Sequence, residues 1–214
     1  MNSIKEIKSI THTDEILKRI ANRLILETCT FPELSLYHGK MGILLFFVHY
    51  ARYTDNPIYE DFAGKLLDEI FEEINDGLPI NFEFGLCGIG WGIEYLLQNG
   101  FMEEDSDEIL HELDLKIMER DLRYIQDKSI QTGLEGISYY IHKRIHSPGR
   151  LARNTLLNRQ YLDEWKNIQK DTHIPDDQEL LLNIYGNGTA GNLIEWKLGL
   201  ENGCAGYGLK LLLK

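Results

Sequence analysis

An all-α fold is predicted by three features of the 214-residue sequence. Pairs of glycines three residues apart recur along the chain, each ahead of an apolar run. The stretches between them carry helical periodicity, and no stretch alternates polar and apolar residues as a half-buried strand would.

The pairs are Gly39/Gly42, Gly85/Gly88, Gly133/Gly136, Gly188/Gly191 and Gly203/Gly206. Their number is modest evidence, and their flanks carry more: SLYHGKMGILLFFVHY, NFEFGLCGIGWGIEYL, SIQTGLEGISYYIHKR, NIYGNGTAGNLIEW and GLENGCAGYGLKLLL each read as a short lead, GxxG, then an apolar run. The first three start 46 and 48 residues apart, which suits one helix pair per repeat. Ahead of the first lies an amphipathic pattern over 14–27, with Ile16, Ile20 and Leu24 at steps of four and Leu17 beside them. Residues 58–74 place Phe62, Leu66, Ile70 and Ile74 in a second stripe, and 103–126 and 151–169 read the same way. The Asn187-Gly188 step has hairpin chemistry, but the residues after it are helical in character.

Each unit therefore comprises an amphipathic outer helix, a glycine loop and a more apolar inner helix. The inner helices stand together with the outer ones around them. The first glycine of each pair is expected to take a positive φ that ends the loop. The second, in the first helical turn, is expected to let neighbouring helices approach closely. Inner helices that all begin after a GxxG bring their N-termini to one end, presenting unpaired N–H groups and partial positive charge.

Composition narrows the function. A net charge of −12 argues against a nucleic-acid partner, because phosphate contacts need clustered Lys and Arg. The densest acidic run, 103–114, reads as a solvated helix face. The longest nearly apolar run, 41–51, is far short of a membrane span and contains His49. Three cysteines without paired spacing give neither a disulfide framework nor a CxxC zinc pattern, so a cytoplasmic, reduced protein is expected.

Side chains at the mouth formed by the glycine loops follow from register. Two residues before the first glycine stand Tyr37, Glu83, Gln131, Gly186 and Glu201, and one before stand His38, Phe84, Thr132, Asn187 and Asn202. Cys87 and Cys204 lie between the glycines of their repeats. His38, Glu83 and Glu201 are the candidate catalytic residues: an imidazole and two carboxylates are the groups that move protons. Tyr37, Gln131, Asn187, Asn202, Cys87 and Cys204 are the candidate substrate contacts. His142 and His146 share a helix face at i, i+4, but flanked by Lys143 and Arg144 they read as surface residues. A dinucleotide site is not supported, because the glycine crowding at 88–96 follows no strand.

GLCGIGWGIEYLL, GLENGCAGYGLKLLL and above all GTAGNLIEW resemble the lanthionine synthetase C-like proteins. The resemblance implies an α/α toroid of nested helix rings. With only 15 residues between Gly188 and Gly203, it implies here a partial or contracted toroid-like ring of four to five GxxG repeats, one domain over 1–214. It also implies a part in maturing ribosomally made peptides such as lantibiotics, where a cysteine thiol adds to a dehydrated serine or threonine to give a thioether. In catalytic members a zinc ion activates that thiolate. Its ligands are cysteines two residues before the glycine in two late repeats and a histidine one residue before it in the later. On this sequence the Cys-His-Gly stretch falls on Gly186-Asn187-Gly188, and the repeat with the remaining cysteine has no counterpart.

The expectation is an accessory or degenerate member with no metal and no cofactor, zinc entering only through an alternative ligand set. Its partners are a peptide substrate or peptide-maturation enzymes, with a homo-oligomer as a further option. Two other readings stand beside it. One is an active cyclase-like enzyme with an altered site around His38, Glu83, Cys87, Glu201 and Cys204. The other is a non-catalytic interaction module.

Overall fold

A computed structural model describes residues 2–146, 157–168, 174–185 and 196–213. Among these residues there is no strand, and the all-α expectation holds. The helices are α1 (Asn2–Thr28), α2 (Lys40–Thr54), α3 (Pro57–Glu73), α4 (Leu86–Gln98), α5 (Ser106–Ile109), α6 (His111–Met118), α7 (Leu134–Ile145), α8 (Arg159–Ile168), α9 (Asp177–Tyr185) and α10 (Cys204–Leu212), with a 3-10 turn at Leu122–Tyr124. They form two compact units. Unit 1 is Met1–Glu33, His38–Glu72 and Gln178–Lys214, and unit 2 is Leu34–Tyr37 and Glu73–Asp177.

In unit 1, α2 packs on α10 and α1 lies against both. The first amphipathic pattern turns Leu17, Ile20 and Leu24 inward, and α3 buries Leu66 and Ile70 of the second. Ile74 falls beyond the end of α3. Pro57 opens α3 without needing an N–H, while Asn56 Oδ1 accepts from the Ile58 N–H at 3.1 Å. The inner helix α2 is buried along most of its length, and Phe46 stacks on Tyr50 with centroids 5.4 Å apart.

His49 lies on α2 in this apolar setting, and burial, with Arg52 adding, lowers its pKa to about 4. A half-buried imidazole that stays neutral in the folded chain must acquire a proton when the chain unfolds in acid. Its contribution is therefore present above the unfolded value of 6.5 and is lost as the pH falls toward 4. Between pH 7 and pH 5 this loss should reach about 2 kcal/mol. Denaturant titrations at the two pH values check it: His49→Gln should show a shallower fall in stability than the native chain, and equal slopes would refute the assignment.

In unit 2, α4 packs on α7, and α6 lies against α4. Phe82, Trp91, Tyr140 and Ile141 build the core. α4 ends in a Schellman arrangement: Gly100 takes φ +65°, and the Phe101 N–H returns to the Leu96 carbonyl at 2.9 Å.

Contrary to expectation, 103–126 is not one amphipathic helix, although Glu103, Glu104, Asp105, Glu108 and Glu112 of its acidic run are exposed as expected. It breaks into α5, α6 and the 3-10 turn, and two of its carboxylates, Asp107 and Asp114, turn to a partner far along the chain. Arg144, 0% exposed, donates from Nε to both Asp114 oxygens at 3.1 Å and from Nη1 to Glu94 Oε1 at 2.6 Å. Its Nη2 donates to Asp107 Oδ1 at 3.1 Å and to Asp114 Oδ2, and the Tyr140 hydroxyl donates to Asp114 Oδ1 at 2.6 Å. Lys143 is also buried, while of the histidines expected at the surface His146 is exposed and His142 half-buried. The Lys143 ammonium lies 5.5 Å from the Trp91 and Tyr95 ring centroids and 2.5 Å from Asp177 Oδ2. Of the stretch 151–169, α8 begins only at Arg159, after Asn158 Oδ1 accepts from the Tyr161 N–H at 2.7 Å; residues 151–156 lie outside the described region.

Candidate functional site

The glycine loops share one backbone design. The first N–H of each inner helix donates to a carbonyl seven residues upstream: Lys40 to Glu33 (2.8 Å), Leu86 to Pro79 (2.8 Å), Leu134 to Asp127 (2.9 Å) and Cys204 to Lys197 (2.9 Å). In two repeats the next residue does the same, Cys87 to Ile80 and Ala205 to Leu198. The expectation of unpaired N–H groups at these termini is thereby corrected. Each loop supplies a carbonyl oxygen to the first N–H of its own helix, where an anion would otherwise be drawn.

The same loops explain the glycines, and differently from the expectation. The N-cap glycines Gly39, Gly85, Gly133 and Gly203 have φ between −109° and −131°, in the extended region, so no positive φ is involved. At Gly85 and Gly133 a side chain is forbidden by the carbonyl six residues upstream, and at Gly203 by that of Gly199, whose oxygen a Cβ would meet at 2.2 Å. A Cβ on Gly85 would lie 1.7 Å from the Pro79 oxygen, and one on Gly133 would lie 2.4 Å from that of Asp127. The second glycines face the same obstacle: Gly88 at 2.0 Å from the Phe82 oxygen, Gly136 at 2.1 Å from that of Ile130, Gly206 at 2.0 Å from that of Leu200. Close helix approach falls further along, where a Cβ on Gly90 would meet the Tyr140 ring at 2.5 Å and one on Gly208 the Phe46 ring at 2.4 Å.

In unit 1, Gly208 seats α10 on α2, and the loops ahead of both helices converge. His38 Nδ1 stands 3.9 Å from Glu201 Oε2, with the two side chains 18% and 33% exposed. Asn202 adopts φ +49° and is exposed, its N–H directed to the Tyr185 carbonyl at 3.4 Å. Cys204 is the first residue of α10, and its Sγ accepts from Arg23 Nη1 at 3.3 Å. Burial raises the Cys204 pKa, and the Arg23 guanidinium opposes that rise. Arg23, absent from the sequence-based candidates, also donates to the Trp196 carbonyl at 2.7 Å and to Glu27 Oε1 at 2.7 Å. No periodicity marks it out, because beyond Glu27 its partners, Trp196 and Cys204, come from the far end of the chain.

In unit 2, Tyr37 is buried, edge-on to Phe82 with centroids 6.2 Å apart. Glu83 is half-buried, and its N–H donates to the Gln131 carbonyl at 2.9 Å, beside Phe82 N–H at 3.1 Å. Gln131 thus ties two successive glycine loops through its backbone, with its side chain exposed. Cys87 is fully buried on α4, and burial together with the nearby Asp114 carboxylate pushes its thiol well above the usual range. Asn187 lies outside the described residues.

A thiolate zinc centre does not fit these residues. Gly186 and Asn187 offer neither sulfur nor imidazole. Cys87 and Cys204 are buried thiols whose pKa values are raised, whereas a metal-binding cysteine must be a thiolate. A thiol reagent such as Ellman's should accordingly find one fast-reacting cysteine in the folded chain, the exposed Cys29, and all three only after unfolding. A fast phase that persists in Cys29→Ser would contradict this burial.

A family model described as lanthionine synthetase C-like protein matches residues 30–147, more than half of the 214 residues. No curated protein and no solved structure matches the chain.

Proposed function

Because the chain belongs to the lanthionine synthetase C-like proteins, we propose that it serves the maturation of ribosomally synthesised peptides as an accessory member that binds peptide or modifying enzymes without the thiolate zinc centre. The observation that carries this reading is the donor set. Gly186 and Asn187 stand where the resemblance calls for cysteine and histidine, and the remaining inner-helix cysteines are buried, protonated thiols. Three unpaired cysteines accord with a cytoplasmic location, and no helix among the described residues is long and apolar enough to cross a membrane.

One observation favours a second reading, an active cyclase-like enzyme. His38 and Glu201, in the registers named for proton transfer, approach each other in unit 1, and Glu83 holds the Glu201 register in unit 2. Such an enzyme would use His38 and Glu201 to deprotonate a peptide thiol and protonate the product enolate. A model peptide carrying one dehydroalanine and one cysteine separates the readings. The accessory reading expects calorimetric binding of the peptide with its thiol still alkylatable after prolonged incubation. Cyclisation detected by mass spectrometry, and lost in His38→Gln, would replace it with the enzymatic reading. Absence of peptide binding, with self-association in light scattering, would favour an interaction module.

A further inference from the structure

The loops ahead of α2 and α10 each end in a side chain able to ligate a metal, and the packing of these two helices aligns them. Gly208 lets α10 sit directly on the Phe46 ring of α2. Asn202, at φ +49°, turns the chain between Glu201 and the Gly203 cap, and its N–H bond to the Tyr185 carbonyl fixes that turn. His38 Nδ1 and Glu201 Oε2 are left 3.9 Å apart. This is too long for a hydrogen bond between them. One ion about 2.0–2.2 Å from each donor spans that gap at a wide ligand–metal–ligand angle, and a small side-chain rotation narrows it to the tetrahedral one.

We propose that His38 and Glu201 bind a divalent transition-metal cation of the zinc type, through one imidazole nitrogen and one carboxylate oxygen, with water completing the shell. Donor chemistry supports the choice of ion: an imidazole paired with a carboxylate suits zinc, cobalt and nickel better than the all-oxygen shells of magnesium or calcium. The surroundings support a cation over an anion. The first N–H of α2 and the first N–H of α10 are committed to the Glu33 and Lys197 carbonyls, which weakens the pull of those helix ends on negative charge. The neighbouring cations are held elsewhere, Lys40 Nζ at 2.9 Å from Glu69 Oε2 and Arg23 on Glu27 and the Trp196 carbonyl. Partial exposure of both ligands, 18% and 33%, admits an ion and leaves coordination positions open. The site contains no sulfur and lies in a different part of the repeat series from the family's thiolate centre. It requires no peptide, so it stands or falls independently of the function proposed for the chain.

The test is calorimetric titration of the full chain with Zn²⁺ in a non-chelating buffer. The native chain is expected to bind one equivalent. His38→Gln and Glu201→Gln should each weaken binding by about tenfold to a hundredfold, since even outer-shell changes at metal sites have effects of that size. The double variant His142→Gln/His146→Gln removes a stacked imidazole pair whose ring centroids lie 4.0 Å apart, and should still bind. No binding by the native chain, binding that survives both His38→Gln and Glu201→Gln, or loss only in the double variant would each overturn the proposal. Should either ligand variant lose its helical circular dichroism, the native chain decides alone. Zn²⁺ must shift the His38 imidazole resonances in its NMR spectrum, and an unmoved His38 sinks the site.

Discussion

Gly136→Ala is expected to destabilise unit 2 by about 3 kcal/mol or more, the upper end of the range for overpacking. The added methyl would lie 2.1 Å from the Ile130 carbonyl oxygen and 2.5 Å from Phe82 Cβ. Neither atom is the mobile end of a side chain, so relief requires the loop to move away from α7. That movement strains the Leu134 N–H bond to Asp127, which closes the same loop. Gly64→Ala, on the exposed face of α3, is the control. Nothing lies within 4 Å of its Cβ position, and the change should stabilise by roughly 0.5–1 kcal/mol through helix propensity. Urea titrations followed by circular dichroism measure both. A Gly136 variant no less stable than the native chain would remove the steric account of the repeat.

Arg144→Met should lower stability by about 3–5 kcal/mol, the usual consequence of leaving buried carboxylates without their counter-ion. Glu94 and Asp114 are both 0% exposed, and their oxygens are directed at the guanidinium. Removing the charge leaves two anions in a low-dielectric core. Adding Glu94→Gln and Asp114→Asn to the Arg144→Met chain should recover a substantial part of the loss, because amides carry no charge to desolvate. If Arg144→Met alone changes stability by less than about 1 kcal/mol, the cluster does not hold α5 and α6 against α7.

The repeats were legible because upstream loop carbonyls impose glycine at Gly85 and Gly88, Gly133 and Gly136, and Gly203 and Gly206, and that demand recurs along the sequence. Reading the glycines as hinges placed the helix starts at the right residues for the wrong reason. The Arg144 cluster was not legible. Glu94, Asp107, Asp114 and Arg144 lie on four separate elements, and charge in a local window reads as solvent-facing. At the site, register placed His38 and Glu201 in adjacent positions ahead of their glycines, and helix packing in unit 1 brings them together. Gln131 was named for its side chain, yet its contribution to the loops comes from a backbone carbonyl that residue type does not reveal. Arg23 escaped notice because its partners, Trp196 and Cys204, are more than 170 residues away.

The loops that open onto the inner helices are closed by main-chain bonds from seven residues upstream, and these bonds involve no atom of the His38, Glu83 or Glu201 side chains. A lineage can therefore exchange those side chains without disturbing the framework that displays them. Loss of one chemistry then leaves a stable, adaptable rim on which a few point changes can install another.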